Sequence, residues 1–324
     1  MNTERSFSVD TLRGLACILL VAYHVVGSNY TNGLRISDGV YRELNDLFAL
    51  VRMPLFTFLS GYIYATRPYQ LNLGKYVKGK VNRLIIPMLT VGTVFAVIQH
   101  LVPASNQGIE HWYLLHILPV AHFWFIEAIF FIFILMIPLE KYKLLSRGKS
   151  FSIIFVLSSL LYVANIQIHY FAISGVIYLL PFFLVGLAVQ RFDLLRLINK
   201  EIKWGMSIII CVLMILLYND KIPAEFNRGL LSLFIGCVSC YLLLAYQCKS
   251  TFLAKIGVFS YSIYLYHVFF TAGSRIVFSK FGMLDVNILF ILSLVLGILG
   301  PIIVEFIFSK NKYTSFALLG KNKH

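Results

Sequence analysis

The chain has 324 residues, of which 59% are hydrophobic and 13% charged, with a mean hydropathy of +0.81. That balance excludes a water-soluble domain and describes an integral membrane protein. The formal charge of +14 calls for no nucleic-acid partner, because anionic lipid headgroups are sufficient counter-charge.

Runs of about 17 to 25 apolar residues predict an all-α polytopic protein of about ten transmembrane helices. They fall near residues 8–28, 46–66, 83–102, 121–140, 151–168, 174–190, 204–218, 228–247, 256–278 and 286–308. Arg5 and Arg13 precede the first run as in a signal peptide. Asp10 in that lead, and a run that continues past His24, argue for a retained helix instead.

Basic residues gather in alternate connections. Arg5 precedes the first span; Arg67, Lys75, Lys78, Lys80 and Arg83 follow the second, and Lys141, Lys143, Arg147 and Lys149 the fourth. Arg191, Arg196, Lys200 and Lys203 follow the sixth, Lys249 and Lys255 the eighth, and Lys310, Lys312, Lys321 and Lys323 the tenth. The intervening connections hold only Arg35, Arg42, Lys221, Arg228 and Lys280. Because cytoplasmic loops collect Lys and Arg, both termini are expected in the cytoplasm. A single membrane domain, 1–324, is expected, with residues 309–324 as a basic cytoplasmic tail. Cys237 and Cys240 have C-x-x-C spacing, which inside an apolar run reads as close packing of small side chains; no metal site and no disulfide are expected.

Ionisable side chains inside spans are costly, roughly 2.5 to 3.5 kcal/mol at a helix centre, and so mark functional candidates. In the first span Arg13 and His24 are eleven residues apart, which on an α-helix puts them on one face about 16 Å apart along the axis. Asp10 lies about 60° away on that face. Arg13 near the cytoplasmic face and an imidazole deeper in suit a long anionic ligand whose reactive end reaches the interior. The competing reading has Arg13 snorkelling to headgroups and His24 bonded to a neighbouring helix.

The run Asp10-Thr11-Leu12-Arg13-Gly14-Leu15-Ala16 followed by His24 resembles the first-helix signature of the acyltransferase-3 family, polytopic membrane enzymes that O-acylate cell-surface glycans. The stretch from Arg52 through Pro54-Leu55-Phe56 to Ser60-Gly61-Tyr62 is similar to that family's second helix, with Arg52 where many relatives carry His and Thr57 interrupting a phenylalanine pair. Arg83-Leu84-Ile85-Ile86-Pro87, His122-Phe123-Trp124-Phe125-Ile126, Ser260-Tyr261-Ser262-Ile263-Tyr264-Leu265-Tyr266-His267 and Glu305 follow in the family's order.

The resemblance implies transfer of an acyl group, most simply acetyl, from cytoplasmic acyl-CoA to a hydroxyl of a cell-surface or lipid-linked glycan in a bacterial plasma membrane. No cofactor is held permanently; acetyl-CoA is a substrate. No hydrolase-like domain is expected after the last helix, so transfer is direct or passes through a separate partner protein. Arg13 is suited to a CoA phosphate, with Asp10 either orienting it or capping the helix start, where an acidic residue is favourable. Histidine's ordinary pKa of about 6.5 makes His24 the candidate general base, or an acyl carrier. Tyr264 and His267 share a face, either donating hydrogen bonds to the donor's thioester or packing between helices. Ser60, Gly61, Arg83 and Glu305 are further donor-side candidates. Arg52, Glu127 and Trp124 are acceptor-side candidates, the first two as a pair in a water-filled cavity and the third as a sugar platform. A proton-coupled transporter or glycan flippase, using the same buried Asp, Arg, His and Glu, is the rival reading; no duplicated halves accompany it.

Overall fold

The computed structural model describes residues 6–70, 72–102, 111–219, 228–282 and 285–321, so the expectations resting on Arg5, Lys221 and Lys323, and on the last residues of the tail, lie outside the described residues. The protein is helical, and no strand occurs among the described residues. In chain order the helices are α1 (Phe7–Val26), α2 (Val40–Leu47), α3 (Ala49–Thr66), α4 (Leu73–Lys80), α5 (Ile86–Leu101), α6 (Trp124–Lys141), α7 (Gly148–Val163) and α8 (Ile173–Arg191). They continue as α9 (Lys200–Tyr218), α10 (Leu230–Ala245), α11 (Thr251–Val258), α12 (Ser260–Lys280), α13 (Val286–Phe308) and α14 (Lys312–Leu319).

Among the described residues, seven helical segments are long and apolar enough to cross a membrane, or eight when the bent pair α11 and α12 is taken as one. α7 and α10 are apolar but, at 16 residues each, shorter than that standard. α9 leaves Ile208, Ile209, Val212 and Ile215 exposed, and α13 leaves Ile291, Leu299, Ile303 and Phe306 exposed. Apolar faces of that extent are stable against lipid and not against water. The protein is a multi-pass membrane protein.

The ninth span departs from the uninterrupted helix expected over 256–278. It is two helices meeting at 81° across Phe259, which holds non-helical torsions of φ −96° and ψ 10°. α11 starts at Ser250, whose hydroxyl accepts from the Leu253 N–H. It ends where Gly257 meets α1, so the break serves a contact that a straight helix would leave unmade.

Packing divides the chain into two units, Met1–Ser60 with Phe192–Glu305, and Gly61–Arg191 with Phe306–His324. In the first unit α1 is central and packs against α2, α10, α11 and α12, while α9 joins α2 and α10. A Cβ on Gly14 would collide with the Leu253 carbonyl oxygen, and a Cβ on Gly257 with that of Asp10. The two helix backbones therefore touch through a reciprocal pair of glycines, the device by which membrane helices gain close van der Waals contact. Around it Cys17, Val21, Val25, Ile256 and Ile263 form a buried apolar core with Phe56, Phe259 and Leu294 packed on it.

In the second unit α8 packs on α6 and α7, and α14 packs on α5. The basic tail thus contains an ordered helix, capped by the Asn311 side chain, which accepts from the Tyr313 N–H, and closed by Gly320 at φ +61°. Thr90 donates to the Ala317 carbonyl at 2.5 Å. Gly61 is pressed against the Phe183 backbone. A bidentate pair joins Arg191 to Glu140 at 2.6 and 3.2 Å. Burial pushes the His116 imidazole, in the loop before α6, below its ordinary pKa.

Two measurements check these contacts. Gly257→Val should lower the melting temperature of the detergent-solubilised protein by the equivalent of about 1 to 3 kcal/mol of overpacking. Gly205→Val, placed where a Cβ meets open space, should leave it within a degree or so. Arg191→Ala strands a largely buried carboxylate and should cost about 3 to 5 kcal/mol, whereas Arg191→Met with Glu140→Leu should recover most of that loss.

Candidate active site

α1 carries three of the nominated side chains on one helix. Ser6 occupies its N-cap position, so Asp10 is an interior residue and not the cap. Asp10 is buried, and its carboxylate accepts a hydrogen bond from Arg13 Nη1 at 3.3 Å. The Arg13 side chain remains 31% exposed. Gly257 seats against the Asp10 carbonyl, and α11 thereby braces the end of α1 that holds the ion pair.

His24 lies in the last turn of α1, where the helix dipole favours positive charge. Its half-buried ring meets that of His267 edge to face, with centroids 4.7 Å apart and planes at 63°. It also meets the Tyr23 ring at 4.8 Å. His267, seven residues into α12, is fully buried. Its Nδ1 lies 2.8 Å from the Ile263 carbonyl oxygen and 2.9 Å from that of Tyr264. A carbonyl only accepts, so Nδ1 carries the ring proton and Nε2 of the neutral ring is an acceptor. The sequence left His267 either donating to the donor thioester or substrate, or packing between helices; with the proton on Nδ1, its Nε2 end is an acceptor. Tyr264, also buried, has its ring 6.1 Å from that of His267.

Glu305 is buried on α13 and accepts from the Ser262 hydroxyl at 2.5 Å. Ser274 donates to Ser293 further along the same two helices, at 3.0 Å. These bonds fix α12 against α13 through polar contacts that are satisfied without water.

Arg52 is 7% exposed. Its guanidinium sits 3.8 Å over the centre of the Tyr23 ring and donates through Nη1 to the Asn45 carbonyl at 2.9 Å. Asn45 and Arg42 in turn donate to the Gly27 carbonyl at 3.2 and 2.8 Å. Arg52 therefore stands one aromatic ring away from His24, and the chain end of α1 is tied to α2 by the same network. Ser60 donates to the Phe56 carbonyl of its own helix at 2.8 Å.

The remaining candidates belong to the second unit. Arg83 is exposed on the π-helical turn Val81–Ile85, next to Lys80, whose ammonium lies 3.4 Å from the centre of the Phe133 ring. Gly61 serves helix packing. Trp124 lies on Gly175, where a Cβ would press on its indole, and beside Tyr178 at 6.4 Å. Glu127 is buried in the first turn of α6, a position the helix dipole favours for an acidic side chain. Arg52 and Glu127, expected as a pair, fall in different units.

The structure thus gathers Asp10, Arg13, His24, Arg52, Tyr264, His267 and Glu305 within the first unit. Three residues that were not nominated complete the arrangement. Tyr23 bridges Arg52 and His24, Asn45 holds the Arg52 guanidinium, and Ser262 holds Glu305. Tyr23 adjoins His24 in sequence and Ser262 lies in the stretch ending at His267, so both were within sight. Asn45 carries no sequence signal, since its function comes from the approach of α2 to the end of α1. The five cysteines are free thiols.

The model of the acyltransferase domain of the acyltransferase-3 family matches residues 6–310, which is nearly the whole chain and includes every candidate above. No curated protein and no solved structure matches the chain. The matched length and the order of its motifs identify the chain as a member of the acyltransferase-3 family.

Proposed function

We propose that this acyltransferase moves an acyl group, most simply acetyl, from cytoplasmic acyl-CoA to a hydroxyl of a cell-surface or lipid-linked glycan, in a bacterial plasma membrane. The observation that carries the reading is the layout of α1. A partly exposed guanidinium, held by buried Asp10, lies on the same helix as His24, about 16 Å away by helical rise. A donor with anionic groups at one end and a thioester at the other matches that separation of charge and base.

Arg13 pairs with a phosphate of the donor, and Asp10 limits the directions its fork can take. His24 accepts the proton of the acceptor hydroxyl as the oxygen attacks the thioester carbonyl carbon. The C–O bond forms, the C–S bond breaks, and the departing thiolate takes the proton from His24. The products are the O-acyl glycan and free CoA thiol. Arg52, over Tyr23 and beside the His24 end of α1, faces the acceptor in this scheme. Ser60, Tyr264 and Glu305, of the first unit, support the donor side in this scheme. Transfer is direct or passes through a separate acyl-accepting protein.

Ten crossings, made of the seven long segments, the bent α11 and α12 pair, and the short α7 and α10, put both termini in the cytoplasm, in keeping with the alternation of basic loops. Arg13 then lies toward the cytoplasm, where acyl-CoA is made.

The test is incubation of the purified protein in lipid nanodiscs with labelled acetyl-CoA and envelope glycan from a strain lacking the gene. Label should enter the glycan, and His24→Ala should reduce the rate by about 10²- to 10⁴-fold. Arg13→Ala should instead raise KM for acetyl-CoA by about ten- to a hundredfold, the loss of a charge-assisted hydrogen bond. Glycan movement without label incorporation would favour the transporter reading and overturn this one.

A further inference from the structure

Arginines gather at the end of the first unit where α1 finishes. Arg35 and Arg42 belong to a connection otherwise poor in basic residues, and Arg52 and Arg275 lie within α3 and α12. A guanidinium in or beside a membrane span is costly unless anions or carbonyls answer it.

Arg42 is 8% exposed. Its Nε donates to the Ile36 carbonyl at 3.2 Å, and its Nη1 to the Gly27 carbonyl at 2.8 Å, which closes the last turn of α1. Asp46, itself 40% exposed, stands 3.6 Å from Nη1. Nη2 is buried and makes no hydrogen bond among the described residues. Capping of α1 thus explains two of the three nitrogens and leaves the third unanswered, at a cost of about 1 to 3 kcal/mol for a stranded donor.

Arg275 is half-buried on α12, and its side chain makes no hydrogen bond or ion pair among the described residues. The charge acting on it is the like charge of Arg35, which precedes the residue whose carbonyl holds Arg42 Nε. Both arginines also border the same stretch of α13. Tyr41, beside Arg42, donates to Asn287 at 2.7 Å, and Ser274, beside Arg275, donates to Ser293 at 3.0 Å. Asn287 and Ser293 are six residues apart, about 9 Å by helical rise. Arg52 adds a third guanidinium, linked to Arg42 through Asn45 and the Gly27 carbonyl.

Neighbouring cations in a region of low dielectric repel one another, and an anion between them turns that cost into binding. Resting on the reading of the His24 end of α1 as the acceptor side, we infer that Arg42 and Arg275, with Arg52 beside them, bind an oxyanion of the acceptor, so that the glycan is acidic. The arginine fork pairs either phosphate or carboxylate bidentately. Neutral sugar hydroxyls give no reason for such an excess of positive charge.

The test uses the protein in nanodiscs with three forms of the envelope glycan: as isolated, with carboxyl groups reduced to alcohols, and with phosphates removed. One neutralised form should show a KM about ten- to a hundredfold above that of the native glycan, the loss of a charge-assisted bond, and that form identifies the oxyanion. The KM for acetyl-CoA should stay within twofold. Arg275→Gln, which breaks no bond within the protein, should raise the KM for native glycan by a similar factor and make the enzyme indifferent to neutralisation. Arg42→Gln, which also breaks the cap on α1, should do the same. Lys280→Gln, at the end of α12, should stay within twofold of the wild type.

The proposal is overturned if the wild type treats all three glycans alike, if Arg275→Gln loses as much again on neutralisation, or if Lys280→Gln falls as far. A KM that follows disc lipid, phosphatidylglycerol against phosphatidylcholine, and ignores glycan charge would put a lipid headgroup in the site and overturn it too. Equilibrium binding of the three glycans without acetyl-CoA reads the site apart from turnover. Charge-dependent binding that is lost in Arg275→Gln, beside no label transfer by the wild type, would refute the acyltransfer scheme and keep the site. Label transfer indifferent to glycan charge would refute the site and keep the scheme.

Discussion

Gly14 and Gly257 lie where α1 and α11 exchange backbone contacts, each against a carbonyl of the other helix. With any larger residue at either place the helices would stand further apart, and α11 could not lie across the beginning of α1. The 81° turn at Phe259 follows from that contact. It ends α11 on the first helix and starts α12 in a direction that brings His267 beside His24. The crossing braces the backbone at the Asp10 end of α1 and leads into α12, which carries His267 to the other end.

Burial without water makes every polar group in this region accountable. Asp10 is answered by Arg13, Glu305 by Ser262, Arg52 by Asn45 and the face of Tyr23, and His267 by two carbonyls of its own helix. Arg13 keeps about a third of its side chain exposed, and the His24 ring is only half-buried, whereas Asp10, Arg52, His267 and Glu305 are buried. An active site inside a bilayer needs this division, because a mobile charged group there would be solvated by whatever lies nearest.

The division also separates polar residues that looked alike in sequence. Glu305 and His267 are as buried as any core leucine, Glu305 bonded to Ser262 and His267 to two carbonyls of its own helix. Gly61 and Trp124 are engaged in helix packing in the second unit, Gly61 with the Phe183 backbone and Trp124 over Gly175. For Gly61, the absence of a side chain allowed a ligand or a neighbouring helix equally well, and the neighbouring helix occupies the space.

Hydrophobic runs located the long apolar helices, because lipid demands a long apolar segment whatever its neighbours are; 286–308 coincides with α13 end for end, whereas the short helices α2, α4, α11 and α14 carry no such signal. The shared face of Arg13 and His24 was likewise legible, since helical periodicity alone relates residues eleven apart on one helix. The first-helix motif pointed to the family for the same reason, being local. What the linear order could not supply was anything that depends on two helices meeting. The break at Phe259, the insertion of Tyr23 between Arg52 and His24, and the approach of His267 all arise from crossings set by glycine positions and side-chain shape. The meeting of two histidine rings is the clearest case. Ile263 and Tyr264 engage His267 Nδ1 from the preceding turn of its own helix, a local matter, whereas His24 comes from the other end of the chain and only the packing of α1 and α12 sets its ring against that of His267.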